Sequence, residues 1–320
     1  DEPETSSKVA AGIVNPITGG RLAASWRVNE MLPFARKFYW DMEEELNLQV
    51  FHHTRIARLF RDRDQKSEWL KKSADHAEQF ESFLDSAPDF EISGEAFHAD
   101  SGGFEVKQAG WLDVPVFLQA VQNHLLERLG YAIANFDPSD LEVSDSGVKW
   151  KRIESQTVVF CQGWEGNQNP FFDWLPMNPA RGEILEISCD HPDAAAEKRI
   201  VNRNGWLLAL GDGTFRAGSN YDHQFESTEP TPEGRQIVEE KIRGLLRPEF
   251  EVTGHRAGIR PIIRQSRAVI GRHPAKERVA FFNGLGSKGV MNGPLLAAQL
   301  ADHLVHGAPL DEEVDLRRNF

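Results

Sequence analysis

The sequence is poor in several things, and each shortage excludes a class. None of its apolar runs approaches the about 18 residues that a membrane-spanning helix needs. The first residues, DEPETSSKVAAG, are acidic and polar, so they do not read as a secretory signal. Two cysteines, Cys161 and Cys189, are too few for a disulfide framework and are not spaced as a zinc knuckle or redox pair. A reducing cytoplasm is therefore the expected setting, with both thiols as plain core residues. Basic charge is short: 36 Lys and Arg stand against 49 Asp and Glu, a formal net charge of −13. A general nucleic-acid binder would need a basic face, so no nucleic-acid partner is expected. No pair of spaced carboxylates and no Ser/His/Asp set marks a hydrolytic centre. His52 and His53 are adjacent, so they point in different directions, and without a third ligand no metal site is expected.

What remains can build a core. Hydrophobic residues make up 40% of 320 positions, long for one core and comfortable for two. Residues 31–48 read as an amphipathic helix, with Leu32, Ala35, Phe38, Tyr39, Met42 and Leu46 at helical spacing. Residues 65–84 repeat the pattern through Trp69, Ala77, Phe80 and Leu84. A third helix is expected over 113–129, capped by Asp113 and ended by Gly130. Residues 131–136 read as a strand, 143 and 148–150 flank a turn, and 157–161 form a short buried strand before Gly163. An antiparallel meander is expected over 181–220, with hairpin signals at Asn204-Gly205 and Asp212-Gly213. Thr231-Pro232 opens a helix over 232–246. The chain closes with a strand at 279–282 and a helix over 291–306, where Leu296, Leu300 and Leu304 recur four apart. Helices and strands interleave without repeats or floppy linkers, so the class is mixed α and β, with any two domains crossed several times by the chain.

Two segments carry chemistry. Between the last strand and helix, Gly284-Leu285-Gly286-Ser287-Lys288-Gly289 fits G-x-G-x-x-G, a loop whose backbone N–H groups can approach an anionic or electron-rich ligand. A nicotinamide-binding unit does not follow, because that unit needs another strand and an acid about 20 residues on. Only residues 307–320 follow the helix, and Pro294 falls where the helix should be established. Alone, the loop also reads as a tight structural turn. The second segment, 254–273, holds Arg256, Arg260, Arg264, Arg267 and Arg272 and no acid. Most of these read as a basic face balancing nearby carboxylates. Arg260 differs: in Gly258-Ile259-Arg260-Pro261-Ile262-Ile263 the proline favours extended backbone and the apolar neighbours suggest burial. A buried guanidinium demands an anion and grips a carboxylate with two bonds.

Together these stretches resemble the flavoproteins of the D-amino-acid oxidase family, closest to its glycine oxidase branch. SSKVAAGI at 6–13 is similar to the family's loop after the second strand. VVFCQGW at 158–164 is similar to its strand ending in a glycine beside the cofactor. Arg181-Gly182 resembles the motif that enters the substrate domain. Gly258-Ile259-Arg260-Pro261 and Gly271-Arg272-His273-Pro274 resemble its C-terminal hairpin, and 284–294 its flavin-contacting loop and final helix. The resemblance starts at what looks like the end of the second strand. The family's first strand and phosphate-cradling GxGxxG loop, roughly 30 residues, have no counterpart in the sequence.

The resemblance implies a Rossmann-like FAD-binding domain of the glutathione-reductase type, interleaved with an antiparallel-sheet substrate domain. By position, 1–30, 105–170 and 253–320 would be FAD-binding, and 31–104 and 171–252 would bind substrate. Hydride would pass from the carbon bearing nitrogen of an amine or amino acid to noncovalent FAD, with dioxygen or another acceptor reoxidising it. Arg260 would hold the substrate carboxylate, and Trp206 would line its pocket. Gly284, Leu285, Gly286, Ser287, Lys288, Gly289 and Val290 would meet the flavin. Ser7, Lys8, Gly12 and Gly163 would line the cofactor, Asp1 would hold the adenosine ribose, and Asp140 would lie near the adenine. Two alternatives stand beside this: a flavoprotein-like scaffold without redox chemistry, and the family's relative that finishes a wobble-uridine modification on transfer RNA.

Overall fold

The computed structural model describes residues 5–84, 90–128, 130–263 and 267–319. It is mixed α and β and divides into two compact units. The described residues of Asp1–Leu32, Asn47–Phe117 and Arg181–Gly258 form the first, and those of Pro33–Leu46, Leu118–Ala180 and Ile259–Phe320 the second. This division by contact groups 5–32 and 103–117 with the first unit, because Ile13–Val14 and Gly103–Leu112 are hydrogen-bonded into its sheet. The expected division by role placed 1–30 and 105–170 together instead.

An eight-stranded sheet dominates the first unit. Its order is Ile13–Val14, Gly103–Leu112, Phe51–Leu59, Ile200–Asn202, Trp206–Gly211, Thr214–Gly218, Ala180–Ser188 and Glu251–Arg260. Ile200–Asn202 runs parallel to Phe51–Leu59, with Ile200 opposite Ile56, and the other neighbours from Ile13–Val14 to Ala180–Ser188 run antiparallel. The expected hairpins form where their residues allow. Asp212 and Gly213 take φ of 50° and 72°, the left-handed pair that a tight two-residue turn requires. Asn202 faces Trp206 across the Asn204-Gly205 turn. Thr231 caps the helix Pro232–Arg243, its hydroxyl accepting the Gly234 N–H at 3.1 Å. That helix buries Val238 and Ile242 in a core with Phe97, Leu185, Ile187, Leu207 and Phe215.

The helix expected over 65–84 is two pieces, Arg63–Asp75 and Ala77–Phe80, because His76 leaves helical geometry at φ −128° and ψ 40°. Trp69 and Phe80 still meet, ring centroids 5.1 Å apart, so the break preserves the apolar contact.

In the second unit Val269–His273, Lys276–Asn283 and Val158–Phe160 form a three-stranded sheet. The last two run parallel, with Val158 opposite Val279 and Phe160 opposite Phe281. Phe160, Phe172, Val279, Phe281 and Leu316 form its core. Leu141–Ser144, Gly147–Trp150 and Ile153–Ser155 make a small antiparallel sheet. Residues 131–136 are not a strand: they are exposed and irregular, and no strand pairs with them among the described residues. Their alternation had apolar content enough, but a strand needs a neighbour to bond. Cys189 is buried as expected, whereas Cys161, just past the last paired residue of its strand, is exposed. Among the described residues no helix is long and apolar enough to cross a membrane.

Candidate functional site

The second unit gathers the glycine turn, Gly163 and the Arg260 segment. At the carboxyl ends of the parallel pair, the chain turns away after Val158–Phe160 and after Lys276–Asn283. Both turns use left-handed glycines: Gly163 at φ 61°, Gly284 at 79° and Gly286 at 57°. A Cβ on Gly284 would lie 2.8 Å from Ile263 Cδ1 and 3.0 Å from the Arg267 carbonyl, so close packing as well as φ demands glycine there. Beside Gly163 a Cβ would meet nothing within 4 Å, and beside Gly286 only Ile262 Cγ1 at 3.8 Å. One turn is thus anchored, and its backbone and that of Gly163 border open space that a flat ring can approach.

The Arg260 segment is part of the same structure. Arg260 ends its strand, and the Pro261 carbonyl accepts the Gly286 N–H at 3.0 Å. The Ile262 carbonyl accepts the Asn178 N–H at 2.7 Å, and Ile263 pairs with Met177. Proline supplies no donor but leaves its carbonyl available, and the glycine turn takes it.

Arg256, Arg267 and Arg272 each meet a carboxylate or a backbone carbonyl. Arg256 pairs with Glu186 at 2.6 Å in the first unit. Within the second, Arg267 faces Glu313 at 3.7 Å. Arg272 donates to the Glu277 carbonyl at 2.6 Å and to the Leu304 carbonyl at 2.9 Å near the end of the last helix. Arg264 lies outside the described residues.

The last helix, Gly289–His306, begins at the glycine turn with Lys288 as its N-cap residue. Pro294 lies inside it and cannot donate to the carbonyl four residues back, which is that of Val290. The buried Tyr39 hydroxyl replaces the lost donor at 2.9 Å. Burial pushes the Tyr39 phenol well above its ordinary value, so it stays a donor. Burial, with Arg267 nearby, holds the Lys288 ammonium below its ordinary value. Asn292 is buried one turn on, and its Oδ1 has no hydrogen-bond donor among the described residues.

Sequence reasoning missed Asn283. Its amide donates to the Gly163 carbonyl at 2.7 Å and accepts the Gly284 N–H at 2.8 Å. The available signal was a polar residue closing the apolar run Val279-Ala280-Phe281-Phe282 directly before the turn. By its spacing Tyr39 is one more apolar position on a helix face. Its signal was Pro294, which implies an orphan carbonyl but does not say who fills it.

Of the remaining expected residues, Ser7, Lys8, Gly12 and Trp206 belong to the first unit. Asp140 is exposed at the end of a short 3₁₀ turn, Pro138–Asp140. Asp1 lies outside the described residues. Ser7 and Lys8 belong to the four-residue helix Ser6–Val9, packed where Gly258 has no side chain, 3.0 Å from Ser6 Cα to an added Cβ. Gly12 is left-handed at φ 70° and approaches the Leu112 carbonyl so closely that a Cβ would lie 2.0 Å from it. Trp206 lies over Gly218, whose Cβ would be 2.6 Å from the indole. Arg181, read as an entry motif, is buried, pairs with Asp222 at 2.8 Å and approaches Glu183 at 3.5 Å. Glu183 is fully buried, meets His255 at 2.7 Å and accepts from the Thr231 hydroxyl at 2.9 Å. His52 stacks on Trp111 at 4.1 Å, and among the described residues no group of three His, Cys, Asp or Glu could hold a metal ion.

Residues 1–303 match the family of FAD-dependent oxidoreductases known as DAO. The chain belongs to this family. FAD is the cofactor of this family, and the open sides of Gly163 and Gly286 fit the approach of a flat ring. Among curated DAO relatives, the tRNA 5-methylaminomethyl-2-thiouridine biosynthesis bifunctional protein MnmC of Marinobacter nauticus is 24% identical over 300 residues, covering 85% of this chain and 45% of the relative. The glycine oxidase of Bacillus subtilis is 26% identical over 207 residues, 63% of this chain and 52% of the relative. The chain therefore spans about half the length of the curated relatives it matches. The crystal structure of glycine oxidase from Geobacillus kaustophilus superposes with a TM-score of 0.76 at 16% identity, covering 96% of this chain and 87% of that one. The mixed α/β architecture with its eight-stranded sheet is thus the fold of the glycine oxidases.

Proposed function

We propose that this oxidoreductase acts on an amine or amino acid and that Arg260 holds the substrate's carboxylate. One observation carries the reading: the Gly286 N–H bonds the Pro261 carbonyl at 3.0 Å, so the turn assigned to the flavin and the residue after Arg260 are held together. When bound, FAD supplies the oxidising power, accepting hydride from the carbon that bears nitrogen. The chain's own residues then bind and orient. Arg260 grips the carboxylate with a planar fork, and Gly284–Val290 offers backbone N–H groups. Glycine oxidases among the relatives and structural neighbours support a small substrate of this class.

The test is to supply the FAD-loaded protein with glycine, sarcosine and D-amino acids and to follow hydrogen peroxide and flavin bleaching. Arg260→Met should raise KM for a carboxylate substrate about 100-fold with kcat less affected, since charge-assisted bonds to a carboxylate contribute about 3 kcal/mol. Equal KM values in the two proteins would remove Arg260 from this role. Flavin that no amine reduces would favour a binding scaffold.

A second reading has its own observation, the MnmC relative aligned along 85% of this chain. In that reading the amine is carried on a wobble uridine of transfer RNA. The net charge of −13 opposes it, because the substrate's backbone is itself anionic. Turnover of a transfer RNA that carries a substituted amine on its wobble uridine, with none of free amino acids, would decide for it.

A further inference from the structure

We propose that Asn283 is the positioning residue of the cofactor site: its side-chain amide locks the turn after one parallel strand to the turn after its neighbour and so sets the seat of the flavin. The inference rests on the reading that these two turns border FAD.

The placement is the first support. The parallel ladder ends with Phe160 opposite Phe281, and beyond it the two chains part. Ligands of parallel sheets bind at this end of the strands, where the backbones diverge. Asn283 is the last residue of its strand and is buried at 3% exposure. Its Nδ2 donates across the gap to the Gly163 carbonyl at 2.7 Å, and its Oδ1 receives the N–H of Gly284 at 2.8 Å. The side chain adds one further rung where the backbone ladder has run out.

The chemistry makes the choice of residue specific. The two turns hinge on left-handed glycines, Gly163 and Gly284, which have the least conformational restriction of their own. Their separation needs an external tie. A carboxylate in place of the amide would accept from Gly284 but could not donate to Gly163, and alanine would do neither. The site also leaves no slack: a Cβ on Gly166 would come 2.7 Å from Asn283 Nδ2. Both contacts are neutral, so the tie places backbone without adding charge beside the cofactor.

The experiment compares FAD affinity, the visible circular dichroism of bound flavin and urea unfolding in the intact chain and its variants. Asn283→Ala should weaken FAD binding about tenfold to hundredfold, as stranding a buried N–H does, and change the flavin's dichroism. Asn283→Asp should bind as weakly at neutral pH and recover as pH falls through the titration of its carboxyl, because the protonated acid can both donate and accept. Asn220→Ala removes a comparably buried asparagine, the acceptor of the Glu183 N–H at 2.7 Å in the first unit, and should lower stability with FAD affinity unchanged. If Asn283→Ala loses stability while FAD affinity and dichroism match wild type, Asn283 is merely structural and the proposal is overturned. Should Asn283→Ala not fold, the pH profile of Asn283→Asp decides alone, and a flat profile overturns it. A wild-type protein that takes up no FAD overturns the cofactor reading instead.

Discussion

The two units each bury a polar arrangement, and they build it from opposite materials. Around Glu183 in the first unit the partners are charged or strongly polar: Arg181, His255 and the Thr231 cap, with the N-terminal turn of the helix Pro232–Arg243 closing over the carboxylate. There is no room in it, since a Cβ on Gly234 would lie 1.9 Å from Glu183 Oε1. Around Asn283 in the second unit the partners are backbone amides of glycines, and open space borders the turn at Gly163. A buried charge is stable only when enclosed by partners, so the first arrangement is closed to ligands. Neutral bonds to glycine leave backbone exposed on one side, so the second can receive one. Burial of polar groups alone therefore does not mark a site. Whether the network uses up all its faces does.

Substitutions can break this contrast. The largest effect is expected for Glu183→Ala, which strands His255, the Thr231 cap and part of Arg181. Urea unfolding should show a loss of about 3–5 kcal/mol, the cost of breaking a buried ion pair from one side. FAD affinity of the folded fraction should stay within about twofold if the contrast holds. Gly284→Ala is next. Forcing a side chain into the left-handed region, against Ile263 and the Arg267 carbonyl, should cost about 2 kcal/mol. Here FAD binding should fall together with stability, the opposite of the Glu183 result.

Tyr39→Phe is subtler. It deletes one hydroxyl and leaves the Val290 carbonyl, which Pro294 cannot serve, without this donor. A loss of about 1–2 kcal/mol is expected by urea unfolding. A double variant with Pro294→Ala should recover part of it, because the helix then supplies its own donor.

The smallest effect is one of pH. Burial and Arg267 depress the Lys288 pKa in the folded protein below the ordinary lysine value of about 10.4. Between the depressed value and the ordinary one the unfolded chain binds more protons than the folded chain. Stability from this group therefore rises with pH across that window, its penalty being fully present below it. Lys288→Met should flatten the rise, read as the difference between the two proteins' unfolding free energies along the pH axis. Parallel curves would show that Lys288 is not desolvated in the folded state.

How far the candidate site was legible follows from where its information lies. The glycine turn was readable because G-x-G-x-x-G between strand and helix is local, and the strain at Gly284 and Gly286 is met by residues in that same stretch. Arg260 stood out by its apolar neighbours and Pro261. That Pro261 would then give its carbonyl to Gly286 was not readable, since 25 residues of sequence separate the partners and nothing local reports their distance. The same limit hid Tyr39, whose target is Val290, and Asn283, whose second partner is Gly163.

By itself, the sequence determined what depends on neighbours along the chain. The Asp212-Gly213 turn, the Thr231 cap, the leucine stripe of the last helix and the ordered motifs of the DAO family all follow from residues a few positions apart. Tertiary structure alone decided whether 131–136 became a strand, which arginines of 254–273 were spent on carboxylates and carbonyls, and what ties the glycine turns together. Those outcomes hinge on hydrogen-bond partners brought from distant segments, and a backbone donor or acceptor has no preference for one such partner until the core has folded around it.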